Sequence, residues 1–171
     1  MILVVGFGPF GLVLDNPASR LARELDRRRI GGTPLLGREM PVSYRRAPEL
    51  TLRLASEAGC SRVLGIGVAR GASEARVEAF GYNVVQGDDV DGVCPGRVEP
   101  GGPDRRALTG PSAAFASALG VPVSDDPGRY VCNAWAYVLA GAGLETMFLH
   151  IPDQGLRAER VAAGLDASWG P

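Results

Sequence analysis

Two short runs restrict the folds open to this chain. Ile2-Leu3-Val4-Val5 and Val63-Leu64-Gly65-Ile66-Gly67-Val68 are continuous, β-rich and apolar, with no polar position on either face. Such a run suits a strand covered on both sides, as in a parallel sheet sandwiched by helices. What lies between the two runs agrees. Asn16 is placed to cap a helix that starts with Pro17 and runs through Arg20, Leu21, Leu25 and Arg28 to Gly31-Gly32. Leu35 to Ser43 reads as a second strand, Ala47 to Ala58 as a helix stopped by Gly59, and Arg62 to Val68 as the next strand. Strand–helix–strand–helix–strand at these lengths predicts an α/β sheet with parallel members. Ligands of such sheets gather at the carboxyl ends of the strands, here Gly6 to Phe10 and Gly67 to Gly71.

At 171 residues the chain is read as one domain, residues 1–171, large enough to bury a full core. The formal net charge of −1 gives no electrostatic footprint for nucleic acid or an anionic membrane. All 18 basic residues are Arg, so a Lys nucleophile, a Schiff base and a P-loop lysine are excluded. Three cysteines without a CxxC pair, and a single His, argue against a disulfide framework and against a metal centre. The apolar run at Met1 to Gly6 is too short for a signal peptide or a membrane span, so a soluble cytoplasmic protein is expected.

The second half is less regular. Ser73 to Val85 sets Ala75, Val77 and Ala79 against Glu74, Arg76 and Glu78, which suggests a strand with a solvated or functional face. Asp88 to Asp104 is rich in Gly and Pro and reads either as a lid over a site or as a plain surface excursion. Gly110 to Gly120 suggests a small helix, Val121 to Ser124 a short strand, and Leu156 to about Ala167 a last amphipathic helix.

The chemistry concentrates at Asp125-Asp126-Pro127-Gly128-Arg129-Tyr130-Val131-Cys132. Pro127 and Gly128 make a turn, and Val131, Trp135, Val138 and Leu139 then follow helical spacing. Cys132 falls in the first turn of that helix, where free N–H groups and the helix dipole favour an anion and lower a thiol pKa. The sole histidine, His150, ends the apolar run Met147-Phe148-Leu149-His150-Ile151-Pro152. A Cys placed for activation and a His elsewhere are the minimum for thiol nucleophilic catalysis. The ordinary alternatives are a buried structural Cys, a satisfied core His and a solvated Glu78. Cys60 and Cys94 carry no motif and are read as structural.

Gly6-Phe7-Gly8-Pro9-Phe10-Gly11 matches GxGxxG after a strand. A dinucleotide site is nonetheless rejected: Pro9 removes a donor, and the helix start signal lies later, at Asn16. The loop reads instead as an apolar lip with two aromatic side chains.

Taken together these segments resemble the pyroglutamyl-peptidase I (pyrrolidone carboxyl peptidase) family of cysteine peptidases. Gly6 to Gly11 with Asn16-Pro17 is similar to the family's opening motif, and Met40-Pro41-Val42 to its L-P-V strand. Gly67-Val68-Ala69-Arg70-Gly71 resembles G-x-A-G-G, Glu78 and Asn83 fall on E-R-V-A-x-N, and Gly102-Pro103-Asp104 resembles D-G-P-D. Tyr130-Val131-Cys132-Asn133 matches Y-V-C-N, and Phe148-Leu149-His150-Ile151-Pro152 matches F-I-H-x-P. The resemblance implies a three-layer α/β/α sandwich with a central mixed, mostly parallel sheet. It implies removal of an N-terminal pyroglutamyl residue from peptides, with Cys132 as nucleophile, His150 as base and Glu78 orienting the imidazole. It implies substrate contacts at Phe10, Val13, Val68, Tyr130 and Val131, and oxyanion donors on the backbone of Arg70, Gly71 and Cys132. No cofactor and no metal are expected. A homo-oligomer, dimer or tetramer, is.

The chain departs from the pattern where Ala79 replaces an Arg after the Glu, and where Gln86 to Gly92 replaces an Arg- and Pro-containing segment. Asp153-Gln154-Gly155 replaces an aromatic-x-Pro-Glu-Gln stretch. The altered segment from Ala79 to Gly92 motivates one alternative, a relative that binds pyroglutamyl or related peptides without turnover. The glycine motif motivates another, a nucleotide- or cofactor-binding module. A phosphorylase-type transferase of related architecture is a more distant one.

Overall fold

The computed structural model describes residues 1–11 and 14–170. The two apolar runs become β1 (Ile2–Phe7) and β4 (Arg62–Val68), side by side and parallel, with Val4 opposite Leu64. β3 (Thr33–Met40) lies parallel on the other side of β1, and β9 (Glu145–Ile151) parallel on the other side of β4. β5 (Arg76–Glu78) runs antiparallel to β9, and β8 (Val123–Ser124) closes that edge. β2 (Arg29–Ile30) pairs antiparallel with β3 at the opposite edge. The order β2-β3-β1-β4-β9-β5-β8 is a mixed, mostly parallel seven-stranded sheet. A two-stranded ribbon of β6 (Phe80–Tyr82) and β7 (Arg105–Ala107) stands apart from it.

Helices cover both faces. α1 (Pro17–Leu25), α3 (Ser112–Leu119) and α5 (Ala158–Trp169) enclose one core with Ile2, Val4, Leu64, Ile66, Met147, Leu149 and Ile151. α2 (Arg46–Ala58) and α4 (Val131–Ala140) enclose the other with Leu3, Val5, Val63 and Phe148. Alternate residues of one strand thus feed opposite cores, which is why the runs carry no polar face. The result is a three-layer α/β/α sandwich. None of the described helices is long and apolar enough to cross a membrane.

Local chemistry sets the boundaries. Asn16 caps α1 through its Oδ1, which accepts from Ala18 N at 2.9 Å, and Pro17 opens the helix as expected. α1 ends at Leu25, earlier than the Gly31-Gly32 stop that the sequence suggests. Gly31 and Gly32, both at positive φ, instead turn the β2–β3 hairpin. The strand expected over Ser73 to Val85 divides into β5 and β6, because β6 leaves the main sheet to pair with β7.

The stretch from Asp88 to Asp104 is not a lid over Cys132. Asp89 accepts from the backbone N–H groups of Tyr44, Asp91 and Val93, Asp91 pairs with Arg46 and Ser43, and Asn83 holds Glu99 and Gly102. These bonds pin the stretch beside α2. There it walls a cavity of about 610 Å³ together with Tyr44, Leu52, Ala134 and Val138.

Candidate active site

The site lies at the carboxyl ends of β4 and β9. Gly128, at φ +77°, and the bond from its N–H to Asp126 Oδ1 (3.0 Å) form the turn that precedes α4. Tyr130 is the extended N-cap of α4, so Cys132 is the second residue of the helix, among N–H groups that have no partner inside it. Asn133 anchors this start: its Nδ2 donates to Tyr82 O and Val84 O, and its Oδ1 accepts from Tyr82 N.

Beneath Cys132 the sheet is bare. A Cβ added to Gly67 would lie 2.6 Å from Cys132 Sγ and 3.3 Å from His150 Cδ2. The sulfur and the imidazole are therefore neighbours across one empty Cβ position. Gly67 pairs with His150 in the β4–β9 register, and His150 pairs with Arg76 in the β9–β5 register. Arg76 and Glu78, two residues apart on β5, share the face of the sheet that carries His150 and Phe148. His150 Nδ1 lies 2.6 Å from Glu78 Oε1, and Arg76 Nε donates to the same oxygen at 2.8 Å. Glu78 is fully buried, and its Oε2 has no partner among the described residues. The edge of Phe148 packs against the imidazole at 5.0 Å between centroids.

Cys132, His150, Arg76, Val68, Arg70, Gly71 and Tyr130 line one cleft of about 450 Å³. The larger cavity behind the 88–104 stretch has neither Cys nor His in its lining. Burial, with Glu78 nearby, pushes the Cys132 thiol up to about 12, against the smaller lowering effects of its own backbone N–H and of Arg76. The helix start alone predicts the opposite direction. Desolvation of the charged form outweighs the dipole here.

A family model described as pyroglutamyl peptidase matches residues 1–153. The chain belongs to the pyroglutamyl peptidase family. The pyrrolidone-carboxylate peptidase of Thermococcus onnurineus is 35% identical over 184 residues, covering 96% of this chain and 91% of that protein. The pyrrolidone-carboxylate peptidase of Mycobacterium tuberculosis is 34% identical over 169 residues, covering 88% and 76%. The solved pyrrolidone carboxyl peptidase of Thermococcus litoralis superposes with a TM-score of 0.84 at 25% identity, over 97% of this chain and 90% of that one.

Within this pyroglutamyl peptidase fold the residues singled out in the sequence fall as follows. Cys132, His150 and Glu78 come together from α4, β9 and β5. Phe10 packs on Tyr130 at 6.3 Å between ring centroids, and Tyr130 stands edge-on to Tyr44 at 5.8 Å. The Tyr130 hydroxyl donates to Asp88 O at the start of the 88–104 stretch. Val68 reaches the cleft. Val131 does not: it is fully buried in the α2/α4 core, because the helical turn that faces Cys132 to the cleft turns its neighbour inward. The Gly71 N–H donates to Asp153 Oδ2 at 2.9 Å and so is not free for an oxyanion. Val13 lies outside the described residues.

Two residues of the site escaped the sequence reading. The sequence places Gly67 in the apolar strand and at its carboxyl end but gives it no role, although a glycine inside an apolar strand signals close approach of another group. Arg76 was noted only for its place on the polar side of an alternating stretch, yet period-two spacing already puts it on the face of Glu78.

Proposed function

We propose that this chain is a cysteine exopeptidase that removes an N-terminal pyroglutamyl residue from peptides, acting through Cys132, His150 and Glu78. The observation that carries the reading is the buried 2.6 Å contact between Glu78 and His150 Nδ1, with Cys132 beside the same imidazole. Glu78 fixes Nδ1 as the protonated nitrogen and leaves Nε2 free to accept a proton. As Sγ attacks the pyroglutamyl carbonyl, its proton passes to His150, and the tetrahedral oxyanion takes N–H bonds from the start of α4 at Cys132 and from Arg70. Collapse breaks the C–N bond. The imidazolium gives its proton to the leaving amine, and a thioester remains on Cys132. Water, deprotonated by His150, then releases pyroglutamate and the thiol.

Phe10, Tyr130 and Val68 are proposed to hold the flat lactam ring, Phe10 and Tyr130 with their rings. We take residues 1–171 as one catalytic unit, since both cores share a single sheet. We further propose a cytoplasmic setting, in which free thiols stay reduced, and assembly of the chain into a homo-oligomer; cell fractionation and light scattering on the purified protein test these two.

Hydrolysis of pyroglutamyl-aminocoumarin by the wild type and by Cys132→Ala, with reducing agent present, tests the activity. Turnover that vanishes in the variant is expected. Turnover that survives would move the nucleophile elsewhere. The altered segment from Ala79 to Gly92 favours one second reading, a binding protein without turnover. A folded wild type that hydrolyses nothing but melts at a higher temperature with a pyroglutamyl peptide bound would establish it.

A further inference from the structure

Glu78 is a carboxylate with no exposed surface, and its two partners both meet one oxygen. One partner is the His150 imidazole, through Nδ1. A buried carboxylate is compensated only by a facing positive charge and a full set of hydrogen bonds. Arg76 is the cation that faces it: its Nε lies 2.8 Å from Oε1, and its side chain is 30% exposed at the rim of the cleft. We propose that Arg76 is a positioning residue for the catalytic carboxylate, holding the Glu78 side chain aimed at His150, and that it acts on Cys132 only through that pair. The assignment rests on the function proposed above.

The surroundings leave this task to Arg76. Cys132 on α4 and His150 on β9 are the other titratable groups facing Glu78. β8 (Val123–Ser124) and α3 (Ser112–Leu119), which also pack against β5, carry no charged residue. Beyond β8, Asp126 is taken up by Arg129 at 2.7 Å and by the Gly128 N–H. The geometry is equally economical. Arg76 and Glu78 are two apart on one strand, so both side chains leave the same face. Arg76 is also the register partner of His150. One short strand therefore supplies the carboxylate and its countercharge, both against the imidazole of the neighbouring strand.

A double-mutant cycle of Arg76→Ala and Glu78→Gln, each alone and combined, tests the assignment through kcat and KM for pyroglutamyl-aminocoumarin. Arg76→Ala should lower kcat by about tenfold to a hundredfold, the size of effect of a displaced catalytic partner, with little change in KM. Arg76→Lys, which keeps the charge, should recover most of the loss. In the Glu78→Gln background, Arg76→Ala should cost nothing more. Independent, multiplying losses would overturn the proposal, as would a raised KM with unchanged kcat, which would make Arg76 a substrate contact. Should Arg76→Ala fail to fold, Arg76→Gln is read in the same cycle. Alkylation of Cys132 by iodoacetamide, followed on the Cys132 peptide by mass spectrometry, reads the same four proteins without substrate. A wild type with no turnover but an intact alkylation cycle would sink the peptidase reading and leave Arg76 in place. Equal alkylation in all four proteins would sink Arg76.

Discussion

Gly67→Ala puts the placement of the nucleophile to a direct test. The new methyl would start 2.6 Å from Cys132 Sγ, 3.1 Å from Phe148 Cζ and 3.3 Å from His150 Cδ2. An ordinary contact is about 3.5–4.0 Å, so the sulfur must withdraw by about 1 Å. Sγ hangs from a single rotatable bond, and rotation relieves the clash at about 0.5–1.5 kcal/mol. The fold should thus lose little, under about 2 kcal/mol including the two tight ring contacts. The chemistry should lose much, because a displacement of about 1 Å at a reacting group costs about a hundredfold in rate. Gly65→Ala is the control one residue-pair down the same strand. Its methyl would start 2.5 Å from Trp135 Cζ3 and 2.6 Å from Phe148 Cδ2, inside a fully buried ring cluster that cannot swing away. It should unfold at a clearly lower temperature, with a cost of about 1–3 kcal/mol or more. The pair is measured by thermal melting and by aminocoumarin release. A folded Gly67→Ala protein that keeps activity within a fewfold of wild type would refute the reasoning, because the sulfur that does the chemistry would then not be the one above Gly67.

Asn133→Ala removes three bonds between the start of α4 and the β6 segment, from a buried side chain, and should cost about 1–3 kcal/mol by denaturant titration, since Tyr82 N, Tyr82 O and Val84 O all lose their partner. Alkaline pH should weaken the fold partly through Cys132. Its thiol is raised on folding, so the stability it contributes is full below the usual thiol value, about 8.5, and is lost as pH rises toward about 12. Denaturant midpoints of wild type and Cys132→Ala should converge over that window, and a constant difference would contradict it. At the acid end, the Arg46 and Ser43 bonds hold the Asp91 carboxyl below the usual range, so its contribution is full above about pH 4 and is lost as pH falls through the lowered value. Asp91→Asn should flatten that acid limb, with wild-type activity at neutral pH if the 88–104 stretch stays anchored through Asp89.

The central sheet was legible from two runs because burial on both faces leaves an unmistakable composition, and the α1 start was legible because Asn16-Pro17 is local capping chemistry. Helix starts, glycine stops and the first-turn position of Cys132 are likewise properties of neighbouring residues. The end of α1 was not legible, since Gly31-Gly32 serves a hairpin whose second strand the local pattern does not reveal. Nor was the anchoring of the 88–104 stretch, which depends on Asp89 meeting Tyr44, 45 residues earlier.

The sequence by itself determined the α/β sheet with parallel members, its covered strands and the segments that carry the nucleophile and the imidazole, because periodicity and capping act over a few residues. Tertiary structure alone decided the upward push on the thiol pKa, the inward turn of Val131, the loss of the Gly71 N–H to Asp153 and the sharing of one Glu78 oxygen by Arg76 and His150. Desolvation and strand register bring together groups far apart in the chain, and neither is written in any one segment of it.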